Sequence, residues 1–347
     1  MLPPDSARSF EYDVVIPTHG RSMSLLSESI ASVERQTLQA RRIVVVVDGN
    51  AAAAERLRSS HPNLHVMCLE VPRGAAAARQ VGILACEAEW VSFLDDDDLW
   101  SPRKQQVTAS YVAEHPGSSA VRAGYWIFAG AEDRVAGING QAVELRADSL
   151  DGLEAAASTA VPLNDLDYLD IEGDSLALML EFNRGVTSTT TVRRDVLLTV
   201  EAVPAGQRPG DDYLLFCHVA AETEWHLIRE RLAYYRLHSG QDTRAPDPAG
   251  ARGILQAKRR AWDAHGSQVT RTLGSYGPRY RSEVRQFVWS HLRQRHAREA
   301  LATYRYALPL LPRRRDRAAA LLPDPLVWHA RSAIRAWRRT PSKQPEW

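Results

Sequence analysis

Along the first hundred residues, short apolar runs alternate with stretches whose apolar positions return every three or four residues. "YDVVIP" (12–17) predicts a strand stopped by Pro17, and the turn "THGR" follows it. Leu26, Ile30, Val33 and Thr37 line one face of an amphipathic helix. "RIVVVV" (42–47) is almost wholly apolar, the pattern of a strand buried on both faces of a parallel sheet. A polar turn at Asp48-Gly49-Asn50 and a short helical stretch lead to the strand-like "NLHVMCLEV", and Gly74 then precedes the helical run "AAAARQVGILACEAE". "WVSFL" (90–94) makes a fourth strand. Ser101-Pro102 predicts an N-cap with proline at the first helical position, opening a helix to about Glu114.

Strands that alternate with helices predict a parallel sheet with right-handed crossovers, so the strand ends that carry Asp48 and Asp95 share one edge. Ligands of open α/β sheets bind beyond that carboxyl edge. Further on, "YWIFAG" predicts a strand, whereas 131–174 is acidic and weakly periodic and predicts loops. "TSTTTVRRDVL" predicts a strand running into a helix, and "GDDYLLFCHVAAE" a helix with Asp211 and Asp212 in its first turn. "EWHLIRERLAYYRLHSGQD" closes a domain placed at 1–245, its halves at about 12–115 and 116–245. The remainder, 246–347, is Arg-rich, helical and interrupted by prolines.

The acidic stretch Asp95-Asp96-Asp97-Asp98 directly follows the fourth strand. Two like charges about 4 Å apart repel by about 4 kcal/mol at an effective dielectric of about 20, so the run calls for solvent, hydrogen bonds or a cation. Asp-x-Asp at a strand end presents hard oxygen ligands to Mg²⁺ or Mn²⁺, which keep water and substrate phosphate in their remaining positions. The plainer alternative is an acidic turn capping the next helix.

Composition narrows the field without deciding it. With 347 residues, 44% hydrophobic and 24% charged, the chain has material for one large domain and an appendage, or for two domains. Cys68, Cys86 and Cys217 are too few and too scattered for a disulfide framework or zinc cluster, which suits a reducing cytoplasm. A signal pattern and an uninterrupted apolar span are not expected. A phosphate-binding G-x-x-x-x-G-K-[ST] loop, a G-x-S-x-G elbow and a glycine-rich dinucleotide turn are likewise missing from the sequence, which disfavours an NTPase, a hydrolase and a dehydrogenase.

Five motifs in order, "VVIPTHGR", "IVVVVDGN", "GAAAARQVGI", "FLDDDDLWSP" and "GDDYLLF", resemble family 2 glycosyltransferases of the GT-A fold over roughly residues 12 to 240. The resemblance implies an α/β, mostly parallel sheet. It also implies inverting hexosyl-type transfer from a nucleotide diphosphate donor, UDP-sugar favoured, to an acceptor hydroxyl. Thr18 is similar to the position lining the nucleotide pocket, Asp48 to the base-binding carboxylate and Arg79 to an arginine near the diphosphate or sugar. Asp95 and Asp97 resemble the Asp-x-Asp pair, with Asp97 the most direct ligand of Mn²⁺ or Mg²⁺ and Asp96 facing the ribose; a homopolymer leaves the register open by one. Asp212 resembles the general base, and His238 the histidine that approaches metal or diphosphate. A degenerate member that binds nucleotide sugar in a regulatory or scaffold role is the alternative.

Formal net charge is +1, yet residues 313–347 carry nine Lys/Arg against three Asp/Glu, leaving −5 for the preceding 312. Trp328, Arg331, Arg335 and Arg338 are spaced to share a helical face, which suits peripheral contact with an anionic membrane or a lipid-phosphate acceptor. A helix packed on the catalytic domain with a solvated Arg-rich face is the plainer reading. No nucleic-acid partner is expected, since no binding module accompanies the charge.

Overall fold

The structure, a computed structural model, describes residues 10–135, 137–138, 141–163, 175–181, 183, 186–238, 248–273, 277–308, 311 and 313–322. It divides into two units, Met1–Arg244 and Ala245–Trp347. In the first unit β1 (Tyr12–Thr18), β2 (Arg42–Asp48), β3 (His65–Leu69) and β4 (Trp90–Phe93) alternate with α1 (Met23–Glu34), α2 (Ala51–Ser60) and α3 (Ala75–Ala85). The four strands pair in parallel in the order β3-β2-β1-β4. All seven residues of β1 are buried, as both faces of a helix-covered parallel sheet require.

Next come β5 (Leu99–Trp100), α4 (Lys104–Glu114), β6 (Ala120–Ala129), the small pair β7 (Gly137–Ile138) and β8 (Gln141–Ala142), and β9 (Leu145–Arg146). α5 (Leu150–Ala157), α6 (Ser175–Glu181), β10 (Thr190–Arg193), α7 (Arg194–Thr199), α8 (Asp211–Glu222) and β11 (Trp225–Arg236) complete the unit. The main sheet runs on as β4-β10-β6-β11-β5, with β9 beside β6. β10 is antiparallel to both neighbours and β5 is antiparallel to β11, so β6 and β11 again point the same way as β1 and β4. Every long strand therefore delivers its carboxyl end to one edge.

Glycine sets the closest approach. A β-carbon on Gly82 of α3 would come within 2.4 Å of Val15, so this helix can lie directly on β1 only with glycine there. Gly74, at φ +89, turns the chain into the same helix.

Three sequence expectations change. Pro17 does not stop β1, which continues to Thr18: pairing with β4 ends at Val15, so the missing N–H falls where no ladder bond to that strand is needed. The helix after the acidic run begins at Lys104 rather than at Pro102, because Ser101 donates its N–H to Leu232 O (3.0 Å) in extending the edge strand β5. Segment 131–163 is not all loop. Leu145 of β9 and Leu153 of α5, both buried, join Leu99, Trp126, Phe128 and Tyr234 in one apolar cluster.

The second unit is helical: α9 (Pro248–Leu273), α10 (Gly277–Arg293), α11 (Ala297–Ala307) and α12 (Arg314–Ala320). Leu255, Val269, Tyr280, Val284, Phe287, Ala300, Ala307 and Ala320 are buried there. Asp316, fully buried, is paired with Arg281 at 3.1 Å. The basic face through Trp328, Arg331, Arg335 and Arg338 lies outside the described residues. No helix among the described residues is long and apolar enough to cross a membrane.

Two cations are buried in the first unit on aromatic faces. Arg122 lies between Phe216 (4.1 Å) and Trp225 (4.6 Å), and Lys104 sits 4.3 Å from the ring centroid of Trp100. Neither side-chain head has a hydrogen-bond partner among the described residues. Burial lowers the Lys104 ammonium from 10.5 to about 7, and the single aromatic face, worth at most about 2 kcal/mol, only partly offsets that cost. Between pH 7 and 10.5 the unfolded chain binds the proton that the folded protein refuses, so stability rises with pH across this window. We expect Lys104→Met to raise the unfolding midpoint at pH 7 and to flatten its rise toward pH 10. Thermal unfolding of the two proteins across that range checks this, and parallel pH profiles would refute it.

Candidate active site at the carboxyl edge of the sheet

The edge gathers residues from elements far apart in sequence. β1 ends in Thr18, β2 in Asp48, and β4 runs into Asp95–Asp98. α3 carries Arg79 in its second turn, α8 begins with Asp211 and Asp212, and His238 follows β11.

Each carboxylate of the acidic run has a different neighbour. Asp95 Oδ1 accepts from Arg79 at 2.6 Å, and the Asp95 N–H donates to Ser188 Oγ at 3.1 Å. Asp96 accepts from the Thr18 hydroxyl. Asp97 Oδ2 lies 3.1 Å from His238 Nε2, both side chains about a quarter exposed. Asp98 turns inward and is fully buried, accepting from the Ser188 hydroxyl at 2.6 Å and the Arg236 N–H at 2.9 Å. Burial pushes Asp95 and Asp96 up to about 6, Asp95 against the pull of Arg79, and it pushes Asp98 well above the carboxylate range. The pocket is short of positive charge.

Arg79 is the fixed cation of the site. It is buried, and one amino group holds Asp95 while the other holds Asp211. Although burial disfavours its charge, the carboxylates of Asp95, Asp211 and Asp212 raise its pKa further. Asp211 and Asp212 thus differ in their partners. Asp211 is tied to Arg79, whereas Asp212 Oδ2 accepts from the Asn183 amide at 3.2 Å. No arginine or lysine among the described residues pairs with Asp212.

Asp48 stands apart from this cluster. Its two oxygens accept from the N–H groups of Arg73 (2.7 Å) and Gly74 (2.8 Å), and it is 3% exposed, so it pins the entrance of α3 to the end of β2. His19 Nδ1 is 3.4 Å from it.

Two groups of contributors carry no signal in the sequence. Ser188, inside a β-branched run, and Arg236, two residues before His238, together with Asp98 brace the acidic loop from beneath; Arg236 Nε also donates to the Asp97 carbonyl at 2.7 Å. Asn183 is the other. A serine in a Thr-rich stretch and an asparagine between helices look like ordinary polar residues until the chain is folded.

A donor set for a divalent cation is present in part. Among the described residues no three His, Cys, Asp or Glu side chains group as a metal cluster. Asp97 and His238 offer a carboxylate and an imidazole side by side, which suits a cation that takes the rest of its shell from phosphate and water.

Residues 13–144 match the family model described as Glycosyl transferase family 2. Over that stretch the chain is similar to glycosyl transferase family 2. In keeping with that family, its mostly parallel sheet is of the GT-A type. The chain is 32% identical over 107 residues to an uncharacterized glycosyltransferase, YwdF, of Bacillus subtilis, covering 28% of this chain and 39% of that one. It is 33% identical over 97 residues to the pre-mycofactocin glycosyltransferase of Mycobacterium tuberculosis, covering 27% and 19%. The chain thus spans well under half the length of the curated relatives it matches. Among solved structures, S. aureus TarS 1–349 in complex with UDP-GlcNAc aligns over 84% of this chain and 90% of that one, at 14% identity and a TM-score of 0.49.

The buried brace gives a direct expectation. Ser188→Ala removes the donor to Asp98 and the acceptor of the Asp95 N–H together, weakening the hydrogen bonding of two polar groups at the sheet edge. Stability should fall by about 1–3 kcal/mol in denaturant titration; an unchanged midpoint would show that the brace contributes nothing.

Proposed function

We propose that the chain transfers a sugar, with inversion at the anomeric carbon, from a nucleoside diphosphate donor to an acceptor hydroxyl. The observation that carries this reading is the division between two adjacent acids at the start of α8: Arg79 occupies Asp211, and Asn183 orients Asp212 without neutralising it. Asp212 is the general base. As the acceptor oxygen bonds to the anomeric carbon, its proton passes to the Asp212 carboxylate and the bond from that carbon to the diphosphate oxygen breaks, releasing nucleoside diphosphate.

Asp97, with His238 beside it, would hold Mn²⁺ or Mg²⁺, and such a cation would neutralise charge on the leaving diphosphate. Arg79 holds Asp95 in place and adds positive potential at the edge. Thr18 and Asp96, bonded to one another, form the ribose side of the pocket. Asp48 shapes its base end through the Arg73–Gly74 loop, and its oxygens, each already accepting one bond, have further lone pairs that can receive a base N–H. UDP-sugars are the first donors to test.

A panel of nucleotides and nucleotide sugars, each with and without Mn²⁺, identifies base and sugar by thermal shift; a ligand at 100 times its Kd stabilises by about 2.7 kcal/mol. Asp97→Ala should abolish the Mn²⁺-dependent part of the shift. Asp212→Asn should keep the shift and lower nucleoside diphosphate release by about 10²–10⁴-fold. Full turnover in Asp212→Asn would overturn the assignment of the base. A donor-dependent shift with no release, across many acceptors, would instead mark a binding protein.

A further inference from the structure

The second unit carries charge that sugar transfer does not use. Of its 103 residues, 21 are Lys or Arg and 7 are Asp or Glu, a formal net of +14, so the first unit stands at −13. A small domain is typically soluble with a net charge of magnitude about 2–8, and a larger excess of one sign repels itself in the compact state. An anionic partner relieves that repulsion. Nineteen of the 21 basic residues are arginine, whose planar fork binds phosphate in a bidentate manner that lysine cannot reproduce.

The placement of these arginines is specific. On α11, Ala300, Thr303 and Ala307 face the interior, while Arg298, Leu301 and Arg305 fall on the opposite side at three- and four-residue spacing, all exposed. Arg293 and Arg295, also exposed, lie just before this helix, at the end of α10 and in the following turn, and extend the same basic hairpin. None of these four arginines has an ion-pair partner among the described residues. Leu301 is 49% exposed, in the middle of the basic stripe.

Independently of the sugar-transfer reading, we propose that the α10–α11 hairpin is a docking face for anionic lipid membranes, formed by Arg293, Arg295, Arg298, Leu301 and Arg305. Arginines engage lipid phosphates, and the leucine enters the boundary between headgroups and acyl chains. Charge alone would also suit nucleic acid. Single strands, however, are held by stacking on exposed aromatic rings, and the large exposed apolar residues described in this unit are Leu292, Leu301, Leu321 and Leu322, all aliphatic. Leucine among arginines matches a bilayer interface better than a base stack.

Sedimentation of the full chain with vesicles tests this. Vesicles of equimolar phosphatidylglycerol and phosphatidylcholine should bind the protein, those of phosphatidylcholine alone should not, and added salt should release it. Because each basic residue near such a surface contributes about fivefold, the double variant Arg298→Gln/Arg305→Gln should lower partitioning about twenty-five-fold. Leu301→Ser should weaken it further without altering the salt dependence. These positions lie outside the site at the sheet edge, so donor turnover and circular dichroism should match the parent, which separates failure here from failure of the sugar-transfer reading. Absence of binding to the anionic vesicles at low salt, or unchanged binding by the double variant, overturns the proposal. So does displacement from vesicles by a single-stranded oligonucleotide at equal phosphate concentration, if that oligonucleotide binds with the same dependence on Arg298 and Arg305.

Discussion

Four consecutive carboxylates at the rim of a buried sheet cannot share one environment, because mutual repulsion at such spacing rivals the stability of a whole domain. The fold resolves this by giving each a separate partner. Asp95 goes to Arg79 of α3, Asp96 to Thr18 of β1, Asp97 to His238 beyond β11, and Asp98 to Ser188 and the backbone of Arg236. Satisfying the acidic loop therefore ties together elements from both ends of the first unit. The same bonds that relieve the repulsion fix the loop's position, so stability and site geometry have one origin.

Arg79 extends this logic to α8. A buried guanidinium is tolerable only with carboxylates on it, and it finds them on two elements at once. That leaves the first turn of α8 asymmetric. Asp211 is spent on the ion pair, and Asp212 accepts instead from the Asn183 amide. Adjacent acids at a helix N-terminus would be equivalent by the helix dipole alone; Arg79 makes them different.

Charge is also divided at the scale of the whole chain. The unit that forms the acidic edge is strongly negative and buries two cations, Arg122 and Lys104, on aromatic faces. The helical unit buries mainly small and apolar side chains and leaves Arg293, Arg295, Arg298 and Arg305 in solvent. A near-neutral total conceals two surfaces of opposite chemistry.

What the sequence by itself determined is the succession of strands and helices, the parallel sheet and the edge bearing Asp48, Thr18 and the acidic run. Apolar periodicity and strand-to-helix alternation are local properties, and crossover handedness converts them into a sheet with one ligand-binding edge. The motif order pointed to the family for the same reason: the matched residues lie at strand ends and helix starts. Only the tertiary structure decided that Pro17 continues β1, that Leu99–Trp100 forms an edge strand and delays α4, and that Asp48 is held by the Arg73 and Gly74 amides. It alone separated Asp98 from its neighbours and brought Ser188, Arg236 and Asn183 to the site. Those outcomes depend on which distant backbone group meets a side chain, and a pairing across 90 or 138 residues leaves no periodic trace in the chain that encodes it.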